Sequence, residues 1–301
     1  MVKWRMRSVP AEMRNHRESP GPRHRRWFPG LWFLILVVCA GCEPSGRVAR
    51  LEQRDGIVVE RGIHFLAGGE GVRYALYLPD GIDKGEPAPV VVLLHGFARS
   101  HRRHVGNAEA LAHKGMVVFT PDMMTLMTGE RGRRRNVEAL GEHLDWLDRR
   151  RRMPEGLLED RLDLHRLALV GHSAGGGIAL EFAAAAGLRK DALRAVCLLD
   201  GVPWASTLEL AEQWPRIPLL SLKAEPSRWN AWGAVAAVET RWPGETRAEK
   251  LEGTSHIDPE NPSGAFADWL LGASEPAVRG EYLRRLTAFL QETLRAGEDD
   301  R

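Results

Sequence analysis

The stretch "LALVGHSAGGGIALEFAAAA", Leu167 to Ala186, decides the fold. Its first residues read as a buried strand, its glycines as an abrupt turn, and its Ala-rich run as an apolar helix. Ser173 sits at the corner, within Gly171 to Gly175, which satisfies G-x-S-x-G. Between a strand and a helix, that pattern holds a strained residue at a tight turn and lifts its hydroxyl clear of the sheet. Glycines are needed there because side chains would meet neighbouring backbone. A phosphate cradle is the competing use of such a turn. It needs a lysine at another spacing, and no G-x-x-x-x-G-K-[ST] occurs in the chain.

The strand–helix alternation extends on both sides. "PVVVLLHG" (Pro89 to Gly96), "MVVFTPD" (Met116 to Asp122), "AVCLLD" (Ala195 to Asp200) and "IPLLSLK" (Ile217 to Lys223) read as buried strands, and "TRAEKLEG" (Thr246 to Gly253) as a polar edge strand. Helices are expected from His104 to His113, Asn136 to Arg152, Asn230 to Thr240 and Glu275 to Arg295. The second is amphipathic, with Val137, Leu140, Leu144 and Leu147 on one face. Upstream, Gly56 to Leu66 and Val72 to Pro79 read as antiparallel strands joined by a Gly-rich turn. This order predicts an α/β fold: a mostly parallel sheet with antiparallel N-terminal strands and helices on both faces. It fits one catalytic domain over 56–297, preceded by a polar tether over 43–55.

A serine hydroxyl is a weak nucleophile at neutral pH and needs a base. In this topology the base should follow the last strand. His256, in "EGTSHIDPENP", is the only histidine downstream of Ser173. His172, beside the nucleophile, reads as packing, and His95 as a structural hydrogen-bonder. An acid must orient the imidazole. Two carboxylates stand at strand ends. Asp200, directly off an apolar strand, is the stronger candidate, and Glu225, in a looser polar loop one strand later, is the alternative. Backbone N–H groups of Ala174, at the helix start, and Phe97, after "VVVLLHG", are the expected oxyanion donors.

The motifs "LLHGF", "TPD", "GHSAGG", "LLD" and "GTSH", in this order, resemble the α/β-hydrolase fold over about Arg73 to Leu294. Within it, "HGFARS", "LALVGHSAGG", "CLLDGVPW" and "SHIDPENP" resemble the chlorophyllase-like and platelet-activating-factor acetylhydrolase-like esterases, and more loosely the cutinase-like polyester hydrolases. In the first two groups the acid follows the strand after the nucleophile, which favours Asp200. The resemblance implies hydrolysis of a small-molecule or lipid-like carboxylic ester through an acyl-enzyme, without metal or organic cofactor. It does not imply chlorophyll. Thioester or amide hydrolysis, peptidase action and acyl transfer use the same triad. A non-catalytic binding lipoprotein is the reading from another class, and filled nucleophile and base positions argue against it.

The N-terminus carries separate information. A basic leader precedes "LWFLILVVCA" (Leu31 to Ala40) and then Gly41 and Cys42. A charged region before a short apolar run is the layout of a secretory signal. The run is too short to span a bilayer, which takes roughly 20 apolar residues. Small residues just before Cys42 resemble a bacterial lipoprotein signal, in which that cysteine is lipidated and becomes the new N-terminus. Residues 1–42 are then the signal, and the protein is exported and lipid-anchored to a bacterial membrane, facing the periplasm or the cell surface. Cys39 stands where such signals usually carry Leu or Val. An ordinary cleaved signal and an uncleaved anchor are the alternatives, and Met6 and Met13 are alternative starts.

With three cysteines no disulfide framework is expected, and Cys197 reads as a buried, inert thiol. A net charge of +2 carries no partner information. Arg131 to Arg135 read as a solvated loop and Arg149 to Arg152 as a helix end. Basic runs without a recognition motif give no case for nucleic acid. Met123, Met124 and Met127 could wall an apolar pocket. Trp204, Trp229, Trp232 and Trp269 either border the site or belong to the core.

Overall fold

The chain is described from a computed structural model, in which residues 49–82, 85–123, 129–185 and 191–295 can be described. The signal, Cys42, Met124 and Met127 lie outside these residues.

Among the described residues, nine strands form one sheet: β1 (Arg50–Arg54), β2 (Ile57–Phe65), β3 (Gly71–Pro79), β4 (Ala88–Leu94), β5 (Val117–Pro121), β6 (Leu162–His172), β7 (Leu193–Leu199), β8 (Leu219–Lys223) and β9 (Thr246–Lys250). Their order is β1-β2-β3-β5-β4-β6-β7-β8-β9. The pairs from β1 to β3, and β3 with β5, are antiparallel, and every other pair is parallel. Among the described residues, seven α-helices connect or cover the strands: α1 (Val105–Ala112), α2 (Glu130–Arg151), α3 (Ala174–Ala185), α4 (Ala205–Leu208), α5 (Ala236–Glu239), α6 (Ala265–Leu271) and α7 (Pro276–Arg295).

The continuous apolar strands are explained by coverage on both faces. Side chains alternate across a strand. Val90, Val92 and Leu94 of β4, with Leu167 and Leu169 of β6, face a core shared with Leu140, Leu144 and Leu147 of α2 and Ile178 and Phe182 of α3. Val91 and Leu93, with Ala168 and Val170, face the opposite core, closed by Leu111 of α1 and Tyr282, Leu286 and Leu290 of α7. Cys197 lies in this second core as a free thiol, and burial pushes its pKa upward.

Three stretches differ from the sequence reading. Arg50–Arg54, assigned to the tether, is an edge strand paired with β2; its charged side chains suit an edge that must not recruit another strand. Arg131 to Arg135 are not a loop, because α2 starts at Glu130. Arg133 is buried there, its Nε donating to Glu181 (3.1 Å), its Nη2 to Ser206 Oγ (2.7 Å), and its guanidinium lying 4.8 Å from the Trp204 ring centroid. Asn230 to Thr240 is not one helix. Ala231, Trp232 and Gly233 have φ of 50°, 59° and 80°, a left-handed run that an α-helix of L-residues does not tolerate, and only Ala236–Glu239 is α-helical.

Candidate active site

The site is built at the ends of parallel strands, where the chain must turn sharply. β6 runs straight into the corner at Ser173, which has φ 54°. A non-glycine residue in this region is strained and needs its surroundings to hold it. Ser173 O accepts the N–H groups of Gly176 and Val202, both at 2.9 Å. A side chain at Gly171 would come within 2.4 Å of Gly175 O, and one at Gly175 within 2.5 Å of Leu94 O. The glycines therefore let the turn pack between β6 and β4. Asp200 leaves β7 with φ 47°, its N–H bound to Leu222 O at 2.7 Å. His256 follows β9 in the loop before α6.

These three side chains meet. Ser173 Oγ lies 2.8 Å from His256 Nε2, and His256 Nδ1 lies 2.6 Å from Asp200 Oδ2. A carboxylate oxygen only accepts, so Nδ1 carries the imidazole proton and Nε2 is free to accept from the serine. All three residues are buried, Asp200 most completely at 1% exposure. Asp200 is held in turn by the Ala224 N–H (3.0 Å to Oδ1) and by Asn230 Nδ2 (3.2 and 3.1 Å to Oδ1 and Oδ2).

Glu225 is not brought to the imidazole. Its carboxylate is on the surface, accepting the Gly253 N–H (3.3 Å) and pairing with Lys250 (3.2 Å). The Gly253 N–H and the Lys250 ammonium lower its pKa.

Gly96 brings the loop after β4 against Ser173: a side chain there would lie 3.1 Å from Ser173 Cβ. Phe97 follows it, with the phenyl ring half exposed, in a turn closed by the Arg99 N–H on Gly96 O (3.2 Å). Ala174 is the first residue of α3. His95 donates from Nδ1 to Gly96 O and accepts the Met123 N–H at Nε2, both 2.8 Å, which ties this loop to the end of β5. Asp122 adds a second tie through the His101 N–H (2.7 Å) and His101 Nδ1 (2.8 Å).

His172 does more than pack. Its Nε2 donates to the His256 carbonyl oxygen at 2.8 Å, and burial holds its pKa well below the ordinary value, so it stays neutral. Its Nδ1 faces Glu260 Oε1 at 3.7 Å. Glu260 is buried and paired with Arg99, whose Nε lies 2.7 Å from Oε1 and whose Nη2 bonds Oε2. Sequence reasoning missed Asn230, Arg99 and Glu260. Arg99 lies in "HGFARS" and Glu260 in "SHIDPENP", two of the stretches that carry the family resemblance, but neither residue was given a role there.

Trp204 is partly buried against the core, while Trp229, Trp232 and Trp269 are exposed. Among the described residues, no group of three or more His, Cys, Asp or Glu side chains is arranged to hold a metal ion.

Residues 89–226 match a family model described as the alpha/beta hydrolase fold. The chain has the α/β-hydrolase fold. The matched segment includes Ser173 and Asp200 and ends before His256. A dienelactone hydrolase from Anabaena variabilis is similar in structure, with a TM-score of 0.56 and 18% sequence identity, covering 78% of this chain and 98% of that one. No curated protein matches the sequence.

Proposed function

We propose that this α/β-hydrolase is a serine hydrolase that cleaves a carboxylic ester of a small-molecule or lipid-like substrate. The observation that supports it is the buried relay from Ser173 Oγ to His256 Nε2 (2.8 Å) and from His256 Nδ1 to Asp200 Oδ2 (2.6 Å). Ser173 Oγ attacks the ester carbonyl carbon while its proton passes to His256 Nε2. Asp200 accepts the Nδ1–H throughout and stabilises the imidazolium. Charge developing on the carbonyl oxygen is met by the N–H groups of Phe97 and Ala174. Each such donor is worth roughly 3 kcal/mol when pre-aimed. The imidazolium then protonates the leaving alkoxide, the C–O bond breaks, and an acyl-enzyme remains. Water, deprotonated by His256, attacks the acyl carbon; the acid is released and Ser173 regains its proton. The relay needs no redox cofactor, since every step moves only a proton or an acyl group.

Ser173→Ala should abolish hydrolysis of p-nitrophenyl butyrate and labelling by a fluorophosphonate probe, with circular dichroism unchanged. Full activity in that variant would sink the mechanism.

The reading also includes export and lipid anchoring at Cys42, supported by the apolar run Leu31 to Ala40 and the small residues before the cysteine. Cys42→Ala should move the protein from the membrane fraction to the soluble fraction. Unchanged membrane retention and an unchanged intact mass would argue against lipidation.

A further inference from the structure

Two segments bring groups to the proposed reaction centre. Residues 96–107, the loop after β4 with the first turn of α1, carry Phe97, and the loop of residues 255–264 carries His256. The second loop lies directly on the first. The Asn261 N–H donates to Arg103 O (2.7 Å), the Gly106 N–H to Asn261 O (2.8 Å), and Asn107 Nδ2 to Pro259 O (2.8 Å). These bonds already hold the loops together. The Arg99–Glu260 pair is added to them, with the Glu260 side chain fully out of water and Arg99 also donating to Ser263 O. Burial pushes the Glu260 pKa upward, so ionisation there is costly. A buried ion pair is poor evidence of stabilisation, because desolvation offsets most of the attraction. What a two-pronged Arg–carboxylate contact supplies is direction: two parallel N–H···O bonds fix the angle between the groups as well as their separation.

His172 lies between the two loops. Its Nε2–H holds the His256 carbonyl, and a side chain at Gly96 would come within 3.3 Å of its Nδ1. It also immediately precedes Ser173 in sequence. The backbone of the base is thereby registered to the nucleophile through His172, and to the Phe97 loop through Glu260 and Arg99.

We propose that Arg99, Glu260 and His172 form a positioning array that locks the Phe97 loop to the His256 loop, so that the oxyanion donor and the base meet the same carbonyl group. The proposal rests on the esterase reading above. None of the three residues touches substrate in it; each acts through the geometry of others.

The test separates positioning from stability in the full chain, with p-nitrophenyl butyrate as substrate. Arg99→Lys keeps the charge and loses the fork. It should lower kcat about 10- to 100-fold, with KM within about threefold, because the lost interactions serve the transition state. The double variant Arg99→Met/Glu260→Met removes both charges together. Its thermal midpoint should equal or exceed the parent's, since an apolar pair can replace a buried ion pair without loss. Its kcat should stay depressed. His172→Phe should also lower kcat, and His172→Gln, which returns an amide donor near the Nε2 position, should recover most of it. If the double variant regains parental kcat along with stability, the pair is only a staple and the proposal is overturned. Parental kcat in Arg99→Lys or in His172→Phe overturns it equally. Fluorophosphonate labelling of the parent at Ser173 checks the underlying reading separately. A parent that labels beside a fully active double variant defeats the array alone, and a parent that neither labels nor hydrolyses defeats both.

Discussion

Asp200 and Glu225 leave the C-terminal ends of neighbouring parallel strands, β7 and β8, yet their carboxylates end in opposite environments. Asp200 is 1% exposed and bonded to His256, to the Ala224 N–H and to Asn230. Glu225 is in solvent with Lys250 and Gly253. The difference begins in the backbone. Asp200 turns through φ 47° immediately after β7, which folds its short side chain back over the strand ends. Glu225 instead gives its backbone to the site: its N–H donates to Thr254 O (3.1 Å) and its carbonyl accepts from Asn230 Nδ2 (2.9 Å). Its side chain is left pointing outward. Here donors and burial bring one strand-end carboxylate onto the His256 imidazole and leave the other in solvent. Position in the topology is not sufficient.

The sharpest way to break this comparison is to neutralise each carboxylate in turn. Asp200→Asn keeps the shape but can present an amide N–H to His256 Nδ1. The imidazole proton is then forced onto Nε2, where it cannot accept from Ser173. In kcat the loss should be on the order of 10^4-fold. Glu225→Gln should leave kcat and KM within about twofold, as expected for an exposed ion pair that touches no reacting group. Steady-state hydrolysis of p-nitrophenyl butyrate by the two variants decides it. A large loss in Glu225→Gln beside an active Asp200→Asn would move the acid one strand along.

The same contrast explains what the sequence could reveal. The runs of β4 to β8 are apolar throughout because both faces are covered, so they could be read as buried strands, and their alternation with helices pointed to a parallel sheet. Ser173, Asp200 and His256 could be singled out because each follows directly on a strand or its turn. The missed features involve polar residues whose partners are remote. Arg99 and Glu260 are 161 positions apart and share no local pattern. Arg133 looked like part of a solvated run because its partners Glu181 and Ser206 come from other elements. The helix expected over Asn230 to Thr240 fails for a similar reason. Its first residue is turned inward to bind Asp200, and the chain leaves it through three left-handed residues. Charged β1 looked like a tether because an edge strand carries no apolar face to read.

Asn230 gives the finer test of the comparison, since it is the group that Asp200 has and Glu225's carboxylate lacks. Its Nδ2 bridges both Asp200 oxygens and Glu225 O, while its Oδ1 accepts the N–H groups of Ser227 (2.8 Å) and Gly233 (3.1 Å). The residue is 1% exposed, so water does not replace these bonds when the side chain is removed. Asn230→Ala should therefore cost about 1–3 kcal/mol of stability, the range for a buried polar group left unpaired. Asp200 would keep the Ala224 N–H and His256, so orientation of the imidazole should weaken rather than vanish. A fall in kcat of roughly tenfold is expected, equal to about 1.4 kcal/mol of transition-state stabilisation, with KM little changed. Asn230→Asp would sharpen the result, because a second carboxylate beside Asp200 adds repulsion to the lost donor and should lower kcat further than alanine does. If alanine leaves kcat at the parental value while the thermal midpoint falls, Asn230 supports the loop alone, and the donors that set Asp200 apart reduce to the Ala224 N–H.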